Sequence, residues 1–400
     1  MATIALNWEL GADLGHISRY LSIALRLRER GHRPVLLLRD ITRAESVLGP
    51  HKIEFLQAPV WLAPVQGLPP DINFTETLFR FGFLYPDGLL SMTRAWRSLW
   101  QLVQPQLMLF DHAPTAMLAA RGLGIPRMVL GNSFAVPPPE KPLPRFRWWA
   151  SGAGEMLRLM ETEERVTRNC NYVLNRLGAL PIRQVSDLYE AEATYLCARP
   201  AMDGYGERSN VPYIGPINNL TMGVEPLWPE GAGPKVFAYL KPKYKHFEPL
   251  LNAISASKGR YLIFAPGLSE QLRQRYESGH VVFSASPLNM SEVIKQCSAI
   301  LCHAGGMTDI ALDAGIPVLL LPTQMEQIMT SHRVANLGAG VFLPPEGNPG
   351  MLPKLIKQIL DNGSLHSCAS SYATSLPVVD QYQAVETVVD ASEALIPEAS

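Results

Sequence analysis

One pattern limits what this chain can fold into more than any other: short apolar runs that alternate with glycine-bearing turns and amphipathic stretches, repeated in both halves. ATIALNW is a strand-length apolar run, GADLGH supplies a turn, ISRYLSIALRLRERGH sets Ile17, Leu21, Ala24 and Leu25 near one helical face, and PVLLLRD is a second buried-strand run. Strand, helix and strand in that order make a βαβ unit, which joins parallel strands by a right-handed crossover. A second unit follows, with the strand QLMLF (106–110), Asp111, a helix from Ala113 to Leu123, the stop GLGIP and the strand RMVLG. The alternation resumes with KVFAYL, RYLIFA, HVVFSA, AILCH and PVLLLP, separated by helical stretches at 247–258, 290–297, 308–314 and 326–337. The expected architecture is α/β, with two Rossmann-like doubly wound parallel sheets.

The 400 residues exceed one ordinary core, since chains of this length divide into domains of about 100–200 residues. Between the two alternating regions, FAVPPPEKPLPRFRWW (134–149) holds too many prolines for a helix or central strand and reads as a loop, and GEMLRLMETEERVTRNCNYVLNRLG reads as one long helix. The segment NVPYIGPINN then places the boundary between domains 1–215 and 216–400. A last helix, at about 380–396, follows the break at Pro377 and is free to pack back onto the first domain.

With 35 Lys+Arg against 36 Asp+Glu, the formal net charge is −1, which gives no electrostatic reason to expect a nucleic-acid partner. Five cysteines without a close pair fit neither a metal site nor a complete disulfide framework. Glu9 and Asp13 interrupt the amino terminus where a secretion signal would be basic and then apolar, and no window reaches the ~18 apolar residues that span a bilayer. The sequence reading is therefore cytoplasmic, with attachment to a membrane surface left open.

Polar residues gather at the carboxyl ends of the expected strands, where open α/β sheets place ligands. In the second half, HAGGMTDIALDAGIP (303–317) puts Gly305 and Gly306 between a strand and a helix start, whose exposed N–H groups and dipole suit a diphosphate, and His303 could add a hydrogen bond or charge. A glycine pair before a helix is by itself more often plain turn geometry. Glu326 and Gln327 open the next helix and could grip vicinal sugar hydroxyls, although an acidic residue in a first turn more commonly serves the helix dipole. In the first half, His16 stands in the turn after the first strand, as a general base for a hydroxyl would, and Asp111 could orient its imidazole. Either residue could instead cap a helix, and Asp13 and His112 are the substitutes close by.

The order H-x-G-G, a threonine, AL-x-x-G-I-P, a strand, P-x-x-x-E-Q and a helix ending LGAG resembles the donor-binding segment of the family-1 (UDP-glycosyltransferase and bacterial macrolide-type) glycosyltransferases. The resemblance runs along the whole chain and is sharpest at 1–40, 106–134 and 281–343. It implies the GT-B fold, with its two domains facing across a cleft, a nucleotide-diphosphate sugar of UDP or dTDP type as co-substrate, no metal or other cofactor, and inversion at the anomeric carbon. It also implies that His16 and Asp111 are catalytic, that His303, Gly305, Gly306 and Thr308 hold the diphosphate, and that Glu326 and Gln327 hold the sugar. Two departures follow. The family's ribose-binding glutamate has no clean counterpart, Asp309 being the nearest substitute, and Ser286 and Pro287 stand where an aromatic residue often stacks on the base. No D-x-D pair, the usual metal-binding signal of the other large glycosyltransferase fold, occurs in the chain.

For the acceptor, Trp96, Phe134, Phe146, Trp148 and Trp149 could form an apolar wall for a small hydrophobic or lipid molecule, with Lys141, Arg145 and Arg147 meeting an anionic head group or membrane surface. The expected activity is transfer of a hexose to an acceptor hydroxyl. The alternatives are a non-catalytic homologue that binds a nucleotide sugar or activates a partner enzyme, and a nucleotide-sugar epimerase of the same fold.

Overall fold

The computed structural model describes residues 1–11, 15–152, 154–218, 220, 223–377 and 381–397. They form two compact units, residues 1–217 with 380–400 and residues 218–379.

In the first unit, strands β1 (Thr3–Trp8), β2 (Arg33–Leu38), β3 (Glu54–Gln57), β4 (Leu107–Asp111), β5 (Arg127–Gly131) and β6 (Ala193–Leu196) make one sheet in the order β3-β2-β1-β4-β5-β6. Every pairing is parallel. The central strands are buried on both faces, as a sheet covered by crossover helices requires. Strand order reverses between β1 and β4, and there Trp8 pairs with Asp111. Helix Gly15–Glu29 buries Ile17, Tyr20, Leu21, Ala24 and Leu27, a helical spacing, against the sheet. The last helix, Gln381–Leu395, joins the same core through Val385, Val388 and Val389, and Arg30 meets Glu386, Asp390 and Glu393 along its exposed side. The opposite face of the sheet is covered by helices Pro86–Val103 and Pro114–Ala120.

In the second unit, strands β7 (Lys235–Tyr239), β8 (Arg260–Phe264), β9 (Val281–Ser284), β10 (Ala299–Cys302), β11 (Val318–Leu320) and β12 (Gly340–Phe342) form a second all-parallel sheet in the order β12-β11-β10-β7-β8-β9. Its order reverses between β7 and β10. The two sheets establish the expected α/β class. The edge strands β3 and β6 go beyond the sequence reading; both are short and only half covered, so neither shows the continuous apolar run that marks a central strand. Among the described residues, no helix is long and apolar enough to cross a membrane.

Candidate active site

At the switch point of the first sheet, β1 and β4 deliver their carboxyl ends side by side, and the loops beyond them are tied by the Leu10 N–H, which donates to the His112 carbonyl over 2.8 Å. His16 is the second residue of helix Gly15–Glu29, and its ring stacks on Trp8 at 5.0 Å with 17° between planes. The Trp8 indole N–H is itself held by the Leu10 carbonyl at 2.6 Å, so the surface beneath the imidazole is fixed. His16 Nδ1 lies 2.8 Å from Asp111 Oδ2, and their side chains are 15% and 0% exposed. Arg19, one turn along the same helix, donates from Nη1 to that same Oδ2 at 2.6 Å.

Burial opposes the charge on Asp111, but the Arg19 guanidinium and His16 outweigh it and hold the carboxyl well below the usual carboxylate range. The ionised carboxylate therefore accepts from Nδ1–H, which leaves Nε2 of His16 with the lone pair. Gly11 closes over this nitrogen with φ of 92°, and a Cβ there would stand 2.7 Å from Nε2. Only glycine takes that conformation at no cost while leaving the imidazole in place.

The two substitutes fare differently. Asp13 lies outside the described residues. His112 adopts φ of 50° and sits between the rings of Phe74 at 5.8 Å and Phe134 at 6.1 Å. Burial and the neighbouring His16 push its pKa down to about 3, so it is a weak proton acceptor at neutral pH.

The acceptor residues fall into two pairs, Phe134 with Phe146 and Trp148 with Trp149, and Trp96 lies apart from both in the core. Half-buried Phe134 packs among Phe74, His112 and Phe146 beside the His16 group. Trp148 meets Trp149 edge-on at 5.3 Å in the proline-rich loop. Trp96 corrects the sequence reading: it is fully buried against Trp100 at 5.6 Å, because the apolar face of helix Pro86–Val103 turns it into the core rather than towards a ligand. Phe146 is fully buried as well, and Arg145 is engaged with Glu155 at 3.1 Å.

At the switch point of the second sheet, His303 follows β10 and is 4% exposed. Its Nδ1 donates to the Leu321 carbonyl at 2.7 Å, and its Nε2 accepts from the Lys241 N–H at 2.9 Å. The imidazole thus bridges the chain beyond β7, β10 and β11 as a neutral ring, with both nitrogens given to main chain. That pattern differs from a direct grip on a phosphate oxygen, which needs a free N–H. Gly305 and Gly306, by contrast, are exposed, and a Cβ at Gly305 would meet nothing within 4 Å. They open helix Gly306–Asp313, whose first N–H groups carry the positive end of the dipole.

Thr308 turns inward, 1% exposed with Oγ1 3.6 Å from Cys302 Sγ, so its hydroxyl is not presented at the helix start. Glu326 lies half-buried in the first turn of helix Met325–Asn336. Gln327 is buried, and its side-chain oxygen accepts from the Thr323 N–H at 2.8 Å and hydroxyl at 3.0 Å. Ser286 and Pro287 are exposed beyond β9. The sequence reading missed Trp8, Gly11 and Arg19. Only Arg19 left a readable signal, three residues past His16 and so on the same helical face.

Two parallel sheets of this order, each with polar residues at its switch point, put a candidate ligand crevice at the strand carboxyl ends of each unit. Residues 279–379 match the family model for the C-terminal domain of erythromycin biosynthesis protein CIII-like proteins. The chain is 39% identical over 56 residues to the NDP-glycosyltransferase YjiC of Bacillus subtilis, covering 14% of each chain. It is 24% identical over 261 residues to the PGL/p-HBAD biosynthesis rhamnosyltransferase of Mycobacterium bovis, covering 61% of this chain and 57% of that one. The chain thus aligns with less than two thirds of the length of these curated relatives. Among solved structures, the kitacinnamycin glycosyltransferase superposes with a TM-score of 0.72 at 18% identity over 99% of both chains. The glycosyltransferase VinC, solved with dTDP, superposes with a TM-score of 0.66 at 17% identity over 98% of this chain and 100% of that one. These relatives and solved structures are glycosyltransferases, and the solved structures share the two-sheet fold of this chain along nearly its whole length.

Proposed function

We propose that the chain moves a hexose from a dTDP- or UDP-type nucleotide sugar to a hydroxyl of a small hydrophobic or lipid acceptor, with inversion and without a metal. The observation that carries this reading is the buried, ionised Asp111 held 2.8 Å from His16, with Nε2 left as the proton acceptor. His16 takes the acceptor's proton as its oxygen attacks the anomeric carbon, Asp111 stabilises the imidazolium that forms, and the bond to the diphosphate breaks in the same displacement. One displacement inverts the centre.

The leaving diphosphate is met by the main-chain N–H groups at Gly305 and Gly306, while His303 holds that turn in place through the Lys241 and Leu321 main chain. Glu326 and Gln327 are assigned to the sugar, and Ser286 and Pro287 to the base. A dTDP-sugar donor is supported by the dTDP bound to VinC. On the acceptor side Phe134 packs edge-on against His112 at 6.1 Å, and a peripheral membrane contact would bring a lipid acceptor to it.

The test is release of nucleoside diphosphate from a panel of nucleotide sugars, with soluble aglycones and amphiphiles as acceptors. Acceptor-dependent release of dTDP or UDP supports the reading. Binding that stabilises the fold without turnover would make the chain a non-catalytic homologue, and conversion of the nucleotide sugar into its epimer with no acceptor and no net release of diphosphate would make it an epimerase.

A further inference from the structure

The geometry points to Arg19 as the positioning residue that keeps His16 neutral and ready to take a proton, by balancing the charge of the carboxylate that both side chains share. This deepens the reading of His16 as general base and rests on it. Asp111 uses one oxygen, Oδ2, for His16 at 2.8 Å and for Arg19 at 2.6 Å, while its buried Oδ1 has no hydrogen-bond partner among the described residues. With Arg19 charged, Asp111 ionised and His16 neutral, the buried cluster has no net charge, and a proton on His16 would leave it with one positive charge. Remove the guanidinium and the neutral-imidazole state carries one uncompensated negative charge, which a buried site relieves by protonating His16. A base protonated at rest cannot serve.

Among the described residues, Arg19 is the cation hydrogen-bonded to the Asp111 carboxylate. Burial raises Tyr20 well above the usual tyrosine range and Cys197 to about 11, and lowers His112 to about 3, so all three are neutral near pH 7. Arg39, at the end of β2, faces His112 and spends a guanidinium nitrogen on the Glu9 carbonyl at 2.8 Å. Arg19 is also the residue that sequence reading passes over, since its role depends on a strand 92 positions away.

The experiment is a pH profile of kcat/KM for the full chain, wild type against Arg19→Gln, Arg19→Met and Arg19→Lys, with a thermal melt of each to confirm folding. Both uncharged variants should move the acid limb to higher pH by about one unit or more, so that the loss at pH 6 exceeds the loss at pH 9 by about tenfold. Arg19→Lys should keep the limb near its wild-type position. Loss by the same factor at every pH in a folded variant, or an unmoved limb, overturns the assignment. NMR titration of the His16 imidazole gives the same comparison without turnover: a midpoint that rises in Arg19→Gln supports the charge balance, and one that does not move sinks it. Absence of transfer by the wild-type chain would count against the enzymatic reading, while the titration still decides the role of Arg19.

Discussion

Replacing His303 with alanine distinguishes a ring that grips phosphate from a ring that holds the phosphate loop. The side chain is almost wholly buried and makes hydrogen bonds to the Lys241 N–H and the Leu321 carbonyl. Alanine strands both partners, and each main-chain group left unpaired out of water costs about 1–3 kcal/mol, so the loss should be about 2–6 kcal/mol. For a unit of this size, that lowers Tm by about 5–15 °C. Urea unfolding and scanning calorimetry measure the stability, and titration calorimetry with dTDP measures the affinity on the same samples. The account predicts a clear loss of stability, with weaker nucleotide binding following from it. A variant with wild-type Tm and greatly reduced affinity would refute this reasoning, because the imidazole would then be acting on the ligand and not on the loop.

Three further outcomes follow from particular contacts. Glu9 is buried, its carboxylate accepts from the Thr115 and Ala116 N–H groups, and burial raises its pKa to about 7. A folded-state value above the unfolded value of 4.5 means that stability is highest below about 4.5 and falls until about 7, by about 3 kcal/mol. Glu9→Gln keeps the acceptor oxygen and removes the titration, so the wild type should lose about that much relative to the variant between those pH values; parallel urea midpoints across the range would contradict it. Gly11→Ala, strained at positive φ and crowding His16 Nε2, should cut transfer by about tenfold or more with donor affinity unchanged, and wild-type rates would sink the placement. Trp96→Ala, emptying a fully buried site, should cost about 3–5 kcal/mol of stability; a change confined to acceptor KM would restore its place at the surface.

How much of this could be read from the chain varies with the range of the interaction. The central strands declared themselves, because strands buried on both faces must be apolar along their length, whereas β3 and β6 did not, being short edges with mixed exposure. His16 and Asp111 were legible as candidates because each follows an apolar run at a carboxyl end, where α/β sheets gather ligands. Their 2.8 Å contact follows from the parallel register of β1 with β4, which no local pattern states. Trp8 lay hidden for the same reason, and Arg19 was marked only by its place three residues past His16 on one helix. The inward turn of Thr308 and the two main-chain bonds of His303 depend on neighbours contributed by other strands, so motif order alone assigned both to the ligand.

The most direct test is the turnover of His16→Ala beside its affinity for the nucleotide-sugar donor. A proton acceptor in the first unit, with the donor held by the second, predicts a fall in kcat of about 10²–10⁴ and an unchanged donor Kd. Undiminished turnover in that variant would contradict the account.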